Sequence, residues 1–497
     1  MHQTTIHLHT RFQIAPVDPR LFGGFLEHMG RAVYEGVYDP KGKHADADGF
    51  RTDVLEALRR LRFTIVRYPG GNFVSGYHWE DGIGPRDRRP LREEKAWDSK
   101  EPNQVGTDEF MSLCRKLDWQ PMLSVNLGTA DAEEARNWVE YCNGPRGTKY
   151  GDMRAANGHP EPYGVKLWCL GNEMDGPWQI GHCSAEEYAA RAKAAAQAMR
   201  AVDASIETVA CGSSSTLMPS FADWDGRVLA NLDDQADFIS LHRYVGNWTE
   251  DTRDYLALSN SIDRQIEDID AVARATQSKR KSDKRVYLSF DEWNVWYKTF
   301  SIEGNSAKGA FPAHLIEEIY NLEDALVVSA FLHSFLRHAD CVKIANLAQV
   351  VNVIAPILTR GDDMLIQSIF YPIEMVAKRR QGISLRAVAD GPRYTSNKYG
   401  EVAEIDCSAV LDGNRLSVFA TNRSLDEQAQ VEIVVADRAV RRIVDAELLS
   451  GPDPKAENSY DSPGLIRSLP FSGPTTDGRA QFVLPPLAFM AATLELG

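Results

Sequence analysis

Eight times between about residues 20 and 380, a short apolar run gives way to a longer amphipathic segment. No other feature constrains the fold as strongly. The runs are LFGGFLE (21–27), FTIVRYPGG (63–71), QPMLSVNLG (120–128), VKLWCLGNE (165–173), TVACGSSS (208–215), DFISLHRY (237–244), RVYLSFDEW (285–293) and CVKIANLAQ (341–349). Each is bounded by turn residues or charges and has the length and β-branched content of a strand buried on both faces. Helical periodicity fills the intervals. TDVLEALRRLR (52–62) and TDEFMSLCRKL (107–117) carry apolar residues three and four apart behind a threonine placed to cap them. SAEEYAARAKAAAQAMRAV (184–202) opens with a Ser-x-x-Glu capping box, and further helices are expected over 254–276, 314–338 and 366–380. Eight such units predict an α/β chain whose residues 18–381 close into a (β/α)8 TIM barrel. A doubly wound sheet, the rival architecture, would carry a Gly-rich phosphate turn after its first strand, and none is present.

After residue 382 the texture changes to short strands separated by polar or Gly/Pro turns, as in RLSVFATN, AQVEIVVA and AQFVLP. This predicts a β-sandwich, jelly-roll-like, built from residues 382–497 and joined by the N-terminal strand within residues 1–17. The three early histidines (His2, His7, His9) are read as part of an edge strand rather than a metal tract. Fifty-five basic against seventy acidic residues give a net charge of −15, which argues against nucleic acid or an anionic membrane as partner. No stretch approaches the roughly 20 apolar residues of a membrane span. The seven cysteines are dispersed, with no zinc-ligand spacing, and read as free thiols. With no secretory pattern at the start, the expected location is cytoplasmic, and the sequons at Asn247 and Asn422 are read as chance matches.

In a (β/α)8 barrel the side chains that act sit at the C-terminal ends of the strands. Those ends read Glu27, Asn72, Asn126, Asn172 with Glu173, Ser213, His242 with Tyr244, Glu292, and Gln349. Carboxylates, amides and a histidine converging on one mouth suit a hydroxyl-rich ligand. Two carboxyls whose pKa values are pushed apart are the equipment of glycoside hydrolysis, one donating a proton to the leaving oxygen while the other attacks the anomeric carbon. Glu173 and Glu292 fall on the fourth and seventh strands, so they are expected to face each other across the barrel. A gap of about 5–5.5 Å would mean retention of configuration. Arg67 points inward and is placed to neutralise one glutamate, whereas Asp291, one residue from Glu292, is expected on the opposite face of its strand. Trp97, Trp178 and Trp296 are candidates to stack on sugar rings.

At these motifs the sequence resembles the bacterial intracellular α-L-arabinofuranosidases of glycoside hydrolase family 51. The matching stretches include GFLEHMGRAVY (24–34), RYPGGNFVSGY (67–77), WCLGNEMDGPWQ (168–179), SLHRY (240–244), LSFDEWNVW (288–296) and LAQVVNVIAP (347–356). The resemblance implies a barrel with a C-terminal sandwich, usually as a homohexamer, and an exo-acting retaining enzyme without metal or cofactor. It implies Glu173 as acid/base and Glu292 as nucleophile. Furanose contacts fall on Glu27, Asn72, Asn172, Tyr244 and Gln349, with His242 beside the nucleophile. Expected substrates are arabino-oligosaccharides and arabinoxylan fragments. Two departures touch leaving-group preference: the triplet after His242 reads Arg243-Tyr244-Val245 where the family often has Gln-Tyr-Tyr, and the 301–311 loop lacks a tryptophan found in close relatives.

The competing readings are a related retaining hydrolase, such as a β-xylosidase or endoglucanase, and a non-catalytic sugar-binding protein. A third, a metal-dependent hydrolase, would need more than the single strand-end histidine, His242.

Overall fold

The structure, a computed structural model, describes residues 1–301 and 305–497. All eight apolar runs form strands: Gly23–Phe25, Ile65–Tyr68, Gln120–Val125, Leu167–Leu170, Glu207–Ala210, Phe238–Val245, Tyr287–Val295 and Val342–Ala348. They pair in parallel in chain order, and the eighth closes onto the first. Alternate residues point into the barrel. At the N-terminal end the inward positions are apolar, and Ile65, Met122, Leu167, Cys169, Val209, Phe238 and Ile344 form a separate buried cluster. Two residues further along, the same inward rows turn polar: Ile65 is followed by Arg67, and Phe238 by Ser240, His242 and Tyr244. An apolar plug thus lies beneath a polar mouth.

The seventh strand breaks this alternation. Ser240 pairs with Ser289 but His242 pairs with Glu292, so two steps on the sixth strand match three on the seventh. The extra residue is a bulge, which re-aims side chains. Phe290 and Trp293 pack outward on Phe331, while Asp291 comes within 3.7 Å of Arg67 and 3.2 Å of His242. The expectation that Asp291 faces away from Glu292 is therefore overturned, because strict two-residue periodicity fails across a bulge.

The helices Thr52–Leu61 and Thr107–Leu117 lie where periodicity places them, but their caps differ from expectation. Arg51 and Gly106 occupy the cap positions. The hydroxyl of Thr52 donates to the His44 carbonyl instead, and that of Thr107 accepts from the Trp138 indole. Ser184 and Glu187 form the expected reciprocal box before Ala185–Val202. The remaining expected helices are realised as Ser259–Arg280, Leu322–Arg337 and Phe370–Ala377. Ala132–Asn143, Lys149–Ala156 and Asp223–Asn231 are helices the pattern reading did not include.

The C-terminal region folds into sheets of seven and five strands whose inner faces share one apolar cluster, including Ile6, Leu8, Ala409, Val431, Ile433, Phe482 and Leu494. The N-terminal segment joins both sheets. Gln13–Pro16 pairs with Ile383–Leu385 in one, while His2–Leu8 lies between Val388–Asp390 and Ala429–Val435 in the other. The histidine-bearing strand is thus flanked on both sides rather than at an edge. Helix Leu322–Arg337 is apolar almost all round, which demands burial on every face. It meets that demand between barrel and sandwich, where His333 bonds Ser408 and Thr421 and Arg337 bonds Asp406. Burial pushes the His333 imidazole down to about 4, so it sits there neutral.

No helix among the described residues is long and apolar enough to cross a membrane. All seven cysteines are free. Both sequon asparagines are buried, with Asn247 bonded to Glu323 and Asn422 to backbone carbonyls.

Candidate active site

The barrel's polar mouth is organised around Arg67. Its guanidinium donates to Glu292 Oε1 at 2.6 Å, to Asn172 Oδ1 at 2.7 Å and to Ser124 Oγ at 3.3 Å, and it lies over the Phe25 ring. A rigid five-donor fork suits this role, because each carboxylate or amide it meets is fixed in direction as well as neutralised. Tyr244 donates to the other oxygen of Glu292 at 3.0 Å. Glu292 is thereby held from both sides, with only 7% of its side chain exposed.

Glu173 lies beyond the fourth strand, in a left-handed backbone conformation with φ of 41° that a non-glycine residue adopts only under constraint. His242 Nδ1 is 2.8 Å from its Oε1, and the Trp178 indole N–H donates to its Oε2 at 2.6 Å. The same His242 nitrogen is 3.6 Å from Glu292 Oε2. A carboxylate oxygen of Glu173 and one of Glu292 lie within 4.8 Å of each other. Residues 119 apart in sequence meet across the barrel, as the strand count predicts.

Glu27 forms the third acidic corner. Its Oε1 accepts the Phe73 backbone N–H at 2.9 Å and the Trp97 indole N–H at 3.0 Å. Gln349 donates to Oε2 at 3.3 Å while its own carbonyl accepts the Glu27 backbone N–H. This carboxyl lies against bare backbone, since a Cβ on Gly71 would stand 2.6 Å from Glu27 Oε2. The Gly70-Gly71 pair is what makes room for it. Asn72 and Asn172 complete the ring, 3.4 Å apart, and Gln179 supports Asn172.

Trp97 reaches Glu27 from the hairpin Arg92–Glu94/Ser99–Glu101. That hairpin is tied down by buried polar contacts: Glu101 meets His28 Nδ1 at 2.8 Å and Tyr34 OH at 2.5 Å, and Glu94 caps the Ala96 and Trp97 N–H groups. Ala307 and Gly309 then bond the Trp97 and Asp98 carbonyls, so the second loop builds on the first. Residues 302–304 of the 301–311 loop lie outside the described residues.

The electrostatics follow from counting. Four carboxyls (Glu27, Glu173, Asp291 and Glu292) face two cationic side chains, Arg67 and His242. A buried excess of negative charge is costly, so protons are retained. Burial, reinforced by Glu292's charge, pushes Glu27 up to about 8. Burial raises Glu173 as well, again with Glu292's charge adding to it. His242 moves the other way from a normal buried histidine. Burial alone would lower it, but Glu292, Asp291 and Glu173 more than offset that and hold it well above the usual imidazole range. The shifts of Glu173 and His242 both favour holding a proton, beside a Glu292 gripped by a guanidinium. Glu173, His242 and Glu292 are close enough together to ligate a divalent ion. The residues fit one poorly, because Arg67 already occupies a Glu292 oxygen and the bridging imidazole is held protonated.

Of the residues singled out from sequence, Glu27, Arg67, Asn72, Trp97, Asn172, Glu173, Trp178, His242, Tyr244, Glu292 and Gln349 contact one another around the mouth. Two further strand-end residues do not. Asn126 caps the turn formed by Gly128 and Thr129, and Ser213 bonds buried Asp225. Arg243 points away from the pocket to Thr216 and Ser261, so this departure leaves the inward row of His242 and Tyr244 unchanged. Trp296 packs edge-on against Tyr244. Asp291, Gln179 and the His28–Glu101 pair were not anticipated. Gln179 stood within a motif already noted, whereas the other contacts join distant segments or depend on the bulge.

Two family models match the chain: the α-L-arabinofuranosidase 1 domain over residues 57–255 and the α-L-arabinofuranosidase C-terminal domain over residues 291–488. An intracellular exo-α-(1→5)-L-arabinofuranosidase of Acetivibrio thermocellus is 45% identical, covering 90% of this chain and 91% of its own. An exo-α-(1→6)-L-arabinofuranosidase of Bifidobacterium longum is 42% identical, covering 97% and 96%. Among solved structures, a family 51 α-L-arabinofuranosidase from Bifidobacterium longum superposes with a TM-score of 0.95 at 37% identity over the whole of both chains.

Proposed function

Because this chain belongs to the α-L-arabinofuranosidases of glycoside hydrolase family 51, we propose that it is an exo-acting α-L-arabinofuranosidase working by double displacement with retention. In this reading Glu173, protonated through burial, gives its proton to the bridging oxygen as Glu292 attacks the anomeric carbon. The glycosidic bond breaks, the leaving chain departs as an alcohol, and an arabinosyl ester of Glu292 forms. Glu173, now ionised, takes a proton from water. The water oxygen displaces Glu292, which regains its carboxylate.

The observation that carries this reading is the separation of the two carboxyls, within 4.8 Å at their nearest oxygens. A separation this short is nearer to that of a retaining pair than to the wider gap that accommodates water in an inverting pair, which supports direct attack. Glu27, Asn72, Asn172, Tyr244 and Gln349 offer the donors and acceptors for the furanose hydroxyls. Trp97 closes the pocket beside Glu27, and Trp178 orients Glu173. The substrates are terminal arabinofuranosyl groups of arabino-oligosaccharides and arabinoxylan fragments, and the enzyme is cytoplasmic and assembles as a hexamer. Linkage preference is a separate matter, since relatives named for (1→5) and for (1→6) cleavage are nearly equally similar.

Azide distinguishes the two glutamates. With nitrophenyl arabinofuranoside, Glu173→Ala plus azide is expected to release arabinosyl azide of retained configuration, whereas Glu292→Ala stays inactive or gives the inverted azide. Retained azide from Glu292→Ala would reverse the roles. Inverted arabinose from the native enzyme would remove the mechanism altogether.

A further inference from the structure

Aromatic rings run outward from the candidate pocket along the loops after the sixth and seventh barrel strands. Tyr244, bonded to Glu292, packs edge-on against Trp296 at 5.5 Å. Trp296 meets Phe300 at 4.7 Å, and Phe300 meets Trp248 at 5.5 Å with the rings nearly perpendicular. The inner rings are largely covered, but Phe300 is 48% exposed and Trp248 57% exposed. The two rings adjoin, so their exposed faces present one shared apolar patch to solvent.

These rings are held out rather than left loose. Asn247, next to Trp248, is buried and donates to both oxygens of buried Glu323. Trp248 also packs on Tyr297, which lies so close to the chain that a Cβ on Gly246 would stand 2.2 Å from it. The loop backbone is thus anchored from beneath while its tryptophan faces solvent. A fixed, exposed ring binds at little entropic cost, and its face suits the C–H surface of a sugar, which is apolar between its hydroxyls.

We propose that Trp248 and Phe300 form a platform for the leaving chain of the substrate, at least one sugar beyond the scissile bond. The inference rests on the exo-arabinofuranosidase reading. If only the terminal arabinose enters the pocket, every sugar outside it belongs to the leaving portion. A stacking surface continuous with the pocket through Trp296 then recognises the aglycone of a linear oligosaccharide and gives the enzyme a preference for longer chains.

Rates on nitrophenyl arabinofuranoside and on α-(1→5)-arabinobiose, triose and hexaose test this. In Trp248→Ala and Phe300→Ala, KM for the triose and hexaose is expected to rise about threefold to tenfold each, the range of one lost aromatic contact. kcat/KM for the nitrophenyl substrate stays unchanged. Trp248→Tyr, which keeps a ring, is expected to restore most of the chain-length preference. In the Glu173→Gln variant, which lacks turnover, hexaose is expected to perturb tryptophan fluorescence in a way that adding Trp248→Phe diminishes. Equal loss on all substrates would mark a structural role, and no loss on any would mark bystander rings. Either result overturns the platform. A native enzyme inactive on nitrophenyl arabinofuranoside would instead overturn the reading on which the platform rests.

Discussion

Replacing Glu292 by glutamine is expected to lower the pKa of Glu173, by an amount the geometry sets. The nearest oxygens of the two carboxyls are within 4.8 Å. At an effective dielectric of about 20, two unit charges at about that separation repel by roughly 3–4 kcal/mol. The His242 imidazole, 2.8 Å from Glu173 and 3.6 Å from Glu292, is present in both proteins, so its own attraction for Glu173 does not change the direction of the comparison. A fall is therefore expected. It would be incomplete, because burial, the largest cause of the elevation, is untouched by an isosteric change. Carbon-13 spectra of glutamate δ-carboxyls, titrated in native protein and in Glu292→Gln and assigned with Glu173→Gln, would measure it. The same fall should appear when a slow fluorinated arabinoside traps the ester, since that too removes the Glu292 charge. In the proposed double displacement, this is the step that turns Glu173 from an acid into a base. If Glu173 titrates at the same pH or higher in Glu292→Gln, the two groups are not coupled through charge, and the electrostatic account of the acid/base role fails.

Asp291→Asn tests the bulge. A residue facing away from the pocket would tolerate this change, but loss of the buried contacts to His242 and Arg67 is expected to cost about 2–4 kcal/mol in chemical denaturation and to lower kcat. Glu27 tests the retained proton. Its carboxyl is pushed up to about 8, so its contribution to stability is complete below the unfolded value near 4.5 and is lost as pH rises through 8. Melting temperatures from about pH 5 to pH 9 should therefore fall less steeply in Glu27→Gln than in the native enzyme.

The barrel was legible because its determinants are local: each strand needs only a short apolar run, and each helix only a repeat of three and four. The site was legible for a related reason. Parallel strands deliver their last residues to one end of the barrel, so listing polar strand ends assembles a pocket without any coordinates. Where this failed, the missing information was not local. Asn126 and Ser213 satisfy the same polar strand-end pattern as Asn172, yet they bond their own turn or a nearby helix, because a polar group entering a barrel mouth must first be satisfied there. Asp291 escapes the alternation rule because a single inserted residue reverses the face of everything beyond it. Trp97 reaches Glu27 only because Glu101 on its hairpin finds His28, a pairing that no run or repeat announces. Helix Ala132–Asn143 is the exception, since Asp131 followed by two glutamates was a readable start signal. The bulge also has a chemical consequence. It brings a second carboxyl, Asp291, to the far nitrogen of His242, while Glu173 and Glu292 share the near one. Carboxyls at both nitrogens hold the His242 proton, and in the proposed mechanism that charge lets two glutamates stand close enough for one to attack where the other donates.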